Sequence, residues 1–117
     1  MKIQVNTDNH TTGSARLTKH VEDVVQGAMG RFGDRVTRVE VHLTDENSSS
    51  KSSGTDKRCV MEARLAGLQP MTVTAEEPSV EKAIVDAAEK LERRLSSTLD
   101  RLNDPKGRTS FAGEVAP

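Results

Sequence analysis

The residues whose types and spacing could do chemistry are cations. Lys90, Arg93, Arg94 and Arg101 fall in one stretch with a helical apolar period. At about 100° per residue, Lys90, Arg94 and Arg101 share one flank of the apolar stripe, and Arg93 lies further out on the exposed side. Glu81, Glu89 and Glu92 lie toward the other flank, while Asp86 sits near the bases. Lys and Arg held on a rigid helix can contact phosphates without reading any base. A plainer reading fits the same residues: acid near the helix start and base near its end complement the helix dipole, and Glu89 with Arg93 makes an ordinary surface pair. Periodicity alone leaves both open. A second, thinner set lies in the first half of the chain. Arg16, His20 and Arg31 share a flank of another helical stretch, Lys19 is more exposed, and Glu22 and Asp23 dilute the field.

Nothing in the sequence assembles a catalytic constellation. There is no Ser-His-Asp arrangement, no Gly-rich phosphate loop and no HExxH. His10, His20 and His42 are scattered over a loop, a helix and a strand, without metal-ligand spacing. Cys59 is the single cysteine, on what should be an inward strand face. It reads as a small core residue rather than a nucleophile, and a lone cysteine excludes an internal disulfide. The expectation is a non-enzyme with no cofactor, no metal and no small-molecule substrate.

Composition narrows the partner. The chain has 117 residues, enough for one domain, and its 17 basic and 18 acidic side chains give a net charge of -1. That argues against a strongly basic, histone-like binder but not against a local basic stripe. Aromatics are only 2% of the chain, two Phe and no Tyr or Trp, so base reading by stacking on a sheet of rings is excluded. Phosphate and shape remain. The opening Met1–Asn6 stretch alternates polar and apolar residues and is no signal region, and no segment approaches the roughly 20 apolar residues of a membrane span. A cytoplasmic protein without a membrane partner is expected.

These side chains must be positioned by six elements. Ile3 and Val5 alternate in a first strand, residues 2–7. Ser14 can cap a helix reaching about Phe32, with Leu17, Val21, Val24, Val25, Ala28, Met29 and Phe32 on one face. Gly27 and Gly30 weaken its last turn by up to about 1 kcal/mol each. Val39, Val41 and Leu43 mark a second strand. Residues 45–56 contain no apolar side chain and read as a mobile loop. Cys59, Met61, Ala63 and Leu65 form the inner face of a third strand over 58–66. A turn at Gly67–Pro70 leads to a fourth, with Met71, Val73 and Ala75 inward. After Pro78 and Ser79 the longest helix runs to about Leu102, its apolar face made of Val80, Ile84, Ala87, Ala88, Leu91, Leu95, Leu99 and Leu102. The order β-α-β-β-β-α predicts an α+β fold. In it the first two strands are parallel, the later ones add antiparallel, and both helices cover one face of a four-stranded mixed sheet. Residues 1–104 form the domain and 105–117 a flexible tail. Both helices then run parallel to each other, and their basic flanks have the same handedness. One flank must face the groove between the helices and the other an outer edge.

The run Lys90-Leu91-Glu92-Arg93-Arg94-Leu95, with Ala83-Ile84 before it, resembles the second helix of the ribosome hibernation-promoting factor family, which includes the short ribosome-associated inhibitor proteins. The opening strand, Leu17 with Val21, and Phe32-Gly33-Asp34-Arg35-Val36 before the second strand are also similar. The likeness covers residues 1 to about 108. It implies a fold resembling double-stranded-RNA-binding domains and a non-enzymatic stress or stationary-phase factor. Such a factor occupies the channel for messenger and transfer RNA on the small ribosomal subunit, inhibits translation and preserves idle ribosomes. It implies ribosomal RNA as partner, with other hibernation factors as further partners, and RNA-phosphate contacts from basic side chains of both helices: Lys90 and Arg93 match the family motif, Arg94 is an added base, and Arg16, Lys19, Arg31 and Arg101 are the further candidates. Three features depart from the family pattern. Ser96-Ser97-Thr98 stand where lysines often follow, Val24, Gln26 and Gly27 where the first helix often carries them, and Glu81 where an aromatic is common. Fewer phosphate contacts should weaken binding and flatten its salt dependence. The long members' C-terminal dimerisation domain has no counterpart in the 117 residues. The alternative function is a protein-interaction module on the same fold. It would use the mixed-charge sheet face of Arg38, Glu40, His42, Arg58, Glu62 and Arg64.

Overall fold

The computed structural model describes residues 1–7, 15–45 and 57–103. Ser14, the 46–56 segment and the tail from 104 onward lie outside the described residues, and with them the expected cap, the body of the loop and the tail. The elements are β1 (Lys2–Thr7), α1 (Ala15–Met29), a 3-10 segment (Gly30–Arg35), β2 (Val36–Asp45), β3 (Lys57–Leu65), β4 (Met71–Glu77) and α2 (Val80–Asn103).

The strands form one sheet in the order β1-β2-β3-β4. β1 runs parallel to β2, with Ile3 opposite Val39 and Val5 opposite Val41. β2 and β3 are antiparallel, as are β3 and β4. Because side chains alternate across a strand, this register puts Val39, Val41, Leu43, Cys59, Met61, Ala63, Met71, Val73 and Ala75 on one face. That face packs against Val21, Val25 and Met29 of α1 and Ile84, Leu91 and Leu95 of α2 in one buried cluster. Burial in that cluster pushes the Cys59 thiol up to about 12, which keeps it an inert core group. The other sheet face carries the polar residues of the alternation, so both helices cover the same side, as the pattern requires.

Several boundaries differ from the sequence reading. α1 stops at Met29 rather than Phe32, and the chain continues as the 3-10 segment, within which Gly33 has φ 60°. Glycine is the residue that takes this left-handed conformation without strain, and Gly30 had already weakened the turn before it. Phe32 still packs on the core, but from the 3-10 segment, and Arg31 leaves the regular helix with it. Asp45, expected in the loop, instead ends β2, and its carboxylate pairs with Lys57 at 3.0 Å. β2 also begins earlier than its central alternation, at Val36, with a register irregularity between Val36 and Arg38. Gly67, with φ 76°, makes the turn between β3 and β4 at its expected place.

α2 begins with a side-chain cap. The Lys82 backbone N–H donates to Ser79 Oγ at 3.1 Å, and the Ala83 N–H donates to the Ser79 carbonyl at 3.0 Å. These bonds satisfy donors that a helix start otherwise leaves open. Its apolar face is buried from Ala83 to Leu99, but Leu102, expected on that face, is 57% exposed. There Leu102 lines an open cavity with Leu65, Ala66 and Leu68 instead of being covered.

Candidate nucleic-acid interface

The two flanks of α2 face different surroundings. β4 is an edge strand, so outward carbonyls along it have no neighbouring strand. α2 packs over β3 and β4, and its outer flank supplies donors to that edge. Lys90 Nζ donates to the Thr74 carbonyl at 2.8 Å, and an Arg94 terminal nitrogen donates to the Thr72 carbonyl at 2.8 Å. Lys90 and Arg94 are therefore held in place by backbone oxygens that carry no net charge, and both keep their positive charge and further donors for another ligand. Lys90 also sees acid. At the end of β4, Glu77 shares a side-chain hydrogen bond with Asp86, which raises its pKa, while Lys82 and Lys90 pull the other way. Among the described residues no carboxylate pairs with Arg94, which rests on the Thr72 carbonyl and is the less compensated of the two.

The inner flank of α2 faces α1 and the 3-10 segment. Arg31 Nε lies 3.5 Å from Glu92 Oε2 across this groove, with both side chains partly exposed. The Arg31 guanidinium also stacks over the Phe32 ring, 4.9 Å from its centroid. An open cavity of about 550 Å³ is lined by Arg31, Glu92, Arg93, Ser96, Ser97 and Asp100. A second, of about 260 Å³, adds Arg35 and Phe32 to Arg31, Ser96 and Asp100. The groove thus holds three guanidiniums, two hydroxyls and two carboxylates. A concave surface of this kind can seat a phosphate among arginine forks, but with acid already present.

The seven expected phosphate-contacting residues are consequently not one patch. Lys90 and Arg94 sit over the β4 edge, and Arg31 and Arg93 line the groove. Arg101 is exposed on the last turn of α2, where it donates to Ser97 Oγ at 3.3 Å. Arg16 and Lys19 lie near the start of α1, roughly 15–20 Å along the helix axis from its Met29 end. Lys19 there pairs with Asp23 at 3.1 Å. The α2 flank of Lys90 and Arg94 faces the outer edge, and the groove receives Arg31 from the 3-10 segment rather than from the α1 flank on which the sequence placed it. Arg35 was missed. It stood in the Phe32–Val36 run that carries the family resemblance, but its approach to Ser96 and Asp100 depends on how the 3-10 segment turns. Glu92 and Asp100 as groove residues also needed the helix pairing to be seen.

The open sheet face neutralises itself. Arg38 pairs with Glu40 at 2.9 Å, His42 Nε2 lies 3.6 Å from Glu40, Arg64 lies 3.8 Å from Glu62, and Arg58 meets Glu76 at 2.7 Å. Arg38 also donates to the Gln4 side-chain oxygen. Across the strands, Arg38 stands opposite Arg64 and Glu40 opposite Glu62, so the pairs along each strand offset like charges between strands. Among the described residues no group of three or more His, Cys, Asp or Glu could hold a metal ion, and no helix is long and apolar enough to cross a membrane.

No curated protein sequence significantly matches the chain. Among solved structures, the N-terminal domain of Protein Y from Thermus thermophilus superposes with a TM-score of 0.67 at 19% identity, covering 84% of this chain and 99% of that one. A ribosomal subunit interface protein from Coxiella burnetii does so with a TM-score of 0.66 at 18% identity, covering 86% of this chain and 99% of that one. At these identities the likeness is one of fold: the same α+β arrangement of a four-stranded mixed sheet and two helices. The sequence itself matches the family described as sigma 54 modulation protein / S30EA ribosomal protein over residues 3–103. That match spans every element from β1 to α2, so the chain belongs to this family.

Proposed function

We propose that this protein is a non-enzymatic ribosome-binding factor that occupies the messenger and transfer RNA channel of the small subunit, inhibits translation and promotes ribosome hibernation. Family membership supports the ribosome as partner, and the name of one structural neighbour, a ribosomal subunit interface protein, points the same way. The observation that carries the reading on this chain is the setting of Lys90 and Arg94. Both are fixed by neutral carbonyls of β4 at 2.8 Å, with Arg93 exposed beside them. Cations held this way can follow a folded RNA by shape and phosphate. That is the route left to a chain with two phenylalanines and no other aromatic. Arg16, Lys19, Arg31 and Arg101 would add outlying contacts. A ribosome-bound factor of this kind works in the cytoplasm.

The alternative, a protein-interaction module using the open sheet face, is the weaker reading. The ion pairs of that face already satisfy one another, so a partner would have to displace them at little net gain.

Sedimentation tests the proposal. The chain should pellet with purified small ribosomal subunits at low salt and be released as salt rises. A double charge reversal, Arg93→Glu with Arg94→Glu, should abolish pelleting while circular dichroism stays near wild type and unfolding stays cooperative. A folded double variant that still pelleted equally would overturn the phosphate role of α2.

A further inference from the structure

The groove between the helices holds an internal competitor for its own ligand. We propose that Glu92 is the resident partner of Arg31, a stand-in for an RNA phosphate that must be displaced when the groove is filled, and that this pair sets the affinity of the groove low. The inference rests on the reading of the chain as a binder of ribosomal RNA.

Three observations converge on the pair. Arg31 reaches across from the 3-10 segment to Glu92 on α2 at 3.5 Å, and both side chains are open to water, 56% and 36% exposed. An arriving phosphate therefore has access to the guanidinium without any opening of the fold. The Arg31 guanidinium is also oriented by the Phe32 ring at 4.9 Å, so it need not fold away when its carboxylate is replaced. Finally, Arg31 and Glu92 line the same cavity as Arg93, Ser96 and Ser97. These donors would complete a phosphate's shell once Glu92 has swung aside. A carboxylate and a phosphate oxygen make the same bond to a guanidinium fork, so the exchange replaces one partner by another and gains little net energy. An arginine already neutralised by protein also contributes less to counterion release than one facing water. The outer flank differs in kind at Arg94, which rests on an uncharged carbonyl, so no anion has to leave it.

The test is a double-mutant cycle on the full chain, with affinity for purified small ribosomal subunits measured over a series of monovalent salt concentrations at fixed magnesium. Glu92→Gln keeps the shape and removes the charge. It should tighten binding about two- to fivefold, the range expected for freeing one exposed ion pair, and steepen the salt dependence. Arg31→Gln should weaken binding. In the Arg31→Gln background, Glu92→Gln should lose most of its effect, because the competitor acts through Arg31. An equal gain from Glu92→Gln with and without Arg31 would overturn the proposal in favour of a general charge effect. Weaker binding by Glu92→Gln would overturn it too, and would make Glu92 a residue that positions Arg31. If Arg31→Gln leaves binding unchanged while the wild type binds, the groove is not a contact and the proposal falls, but the outer-flank reading survives. A wild-type chain that does not bind at all removes the functional reading itself.

Discussion

The two sides of α2 hold cations under opposite electrostatic conditions. On the outer side, Arg94 and Lys90 donate to the Thr72 and Thr74 carbonyls of β4. A carbonyl orients a cation without neutralising it. On the inner side, Arg31 meets a carboxylate, Glu92, and Asp100 stands in the same groove. A carboxylate both orients and neutralises. The difference shows why net charge says little about this chain. With 17 basic against 18 acidic side chains, what matters is which cations have their charge already cancelled by a neighbour. By that measure the open sheet face is largely cancelled, the groove is partly cancelled, and the outer flank of α2 at Arg94 is least so. The same bonds have a second consequence. An edge strand with open carbonyls is a template for pairing with another chain, and Lys90 and Arg94 cover part of the β4 edge.

The contrast depends first on the seating of α2, and the largest expected effect comes from unseating it. Leu91, fully buried beneath both flanks, should cost about 2–5 kcal/mol of stability as Leu91→Ala, the usual range for emptying such a site. Urea unfolding measures this, and a cost under 1 kcal/mol would mean that the helix is not held by this face. Next comes the contrast itself. Arg94→Gln should lower the slope of log affinity against log salt by about one phosphate's worth, a change of roughly 0.7–0.9, and Arg31→Gln by clearly less. Equal slopes would erase the distinction between the flanks. Smaller again is the structural role of the outer flank. Arg94→Met leaves the Thr72 carbonyl to water and should cost about 0.5–1 kcal/mol, read as faster amide exchange along β4 and a lower unfolding midpoint. No change in either would mean that the 2.8 Å contact is not made in solution. The smallest effect concerns the acid beside Lys90. The Asp86 hydrogen bond raises Glu77 above the usual glutamate range, so Asp86→Asn should move the Glu77 midpoint down in an NMR titration. The sign for stability follows. A carboxyl raised on folding favours the folded state at low pH and loses that contribution as pH rises through its folded midpoint. Asp86→Asn should flatten that acid-side dependence.

Much of this was legible in the sequence because it depends on periodicity. The inward alternation of Cys59, Met61, Ala63 and Leu65 and the stripe from Ile84 to Leu99 fix the sheet face and the helix face together. The order β-α-β-β-β-α then leaves β1 and β2 parallel. The end of α1 was less legible. Its apolar pattern continues through Phe32, and only the backbone of Gly33 shows that the chain has left the helix. Leu102 kept the stripe's period but lines an open cavity beside Leu65 and Leu68 rather than the buried core. The site was legible by residue type and not by arrangement. Lys90, Arg93 and Arg94 could be picked out on one helix. What each cation faces could not be read. The Thr72 and Thr74 carbonyls are backbone atoms, invisible to any side-chain pattern. Arg31 and Glu92 are brought together by the packing of elements 61 residues apart in the chain.

The proposed function seats the chain in the messenger and transfer RNA channel of the small subunit, held by phosphates. Chemical footprinting of the small-subunit RNA tests this most directly. With the chain bound, backbone protections should cluster along the RNA lining that channel and disappear with the Arg93→Glu, Arg94→Glu double variant. Protections elsewhere on the subunit, or binding with no RNA protection at all, would contradict it.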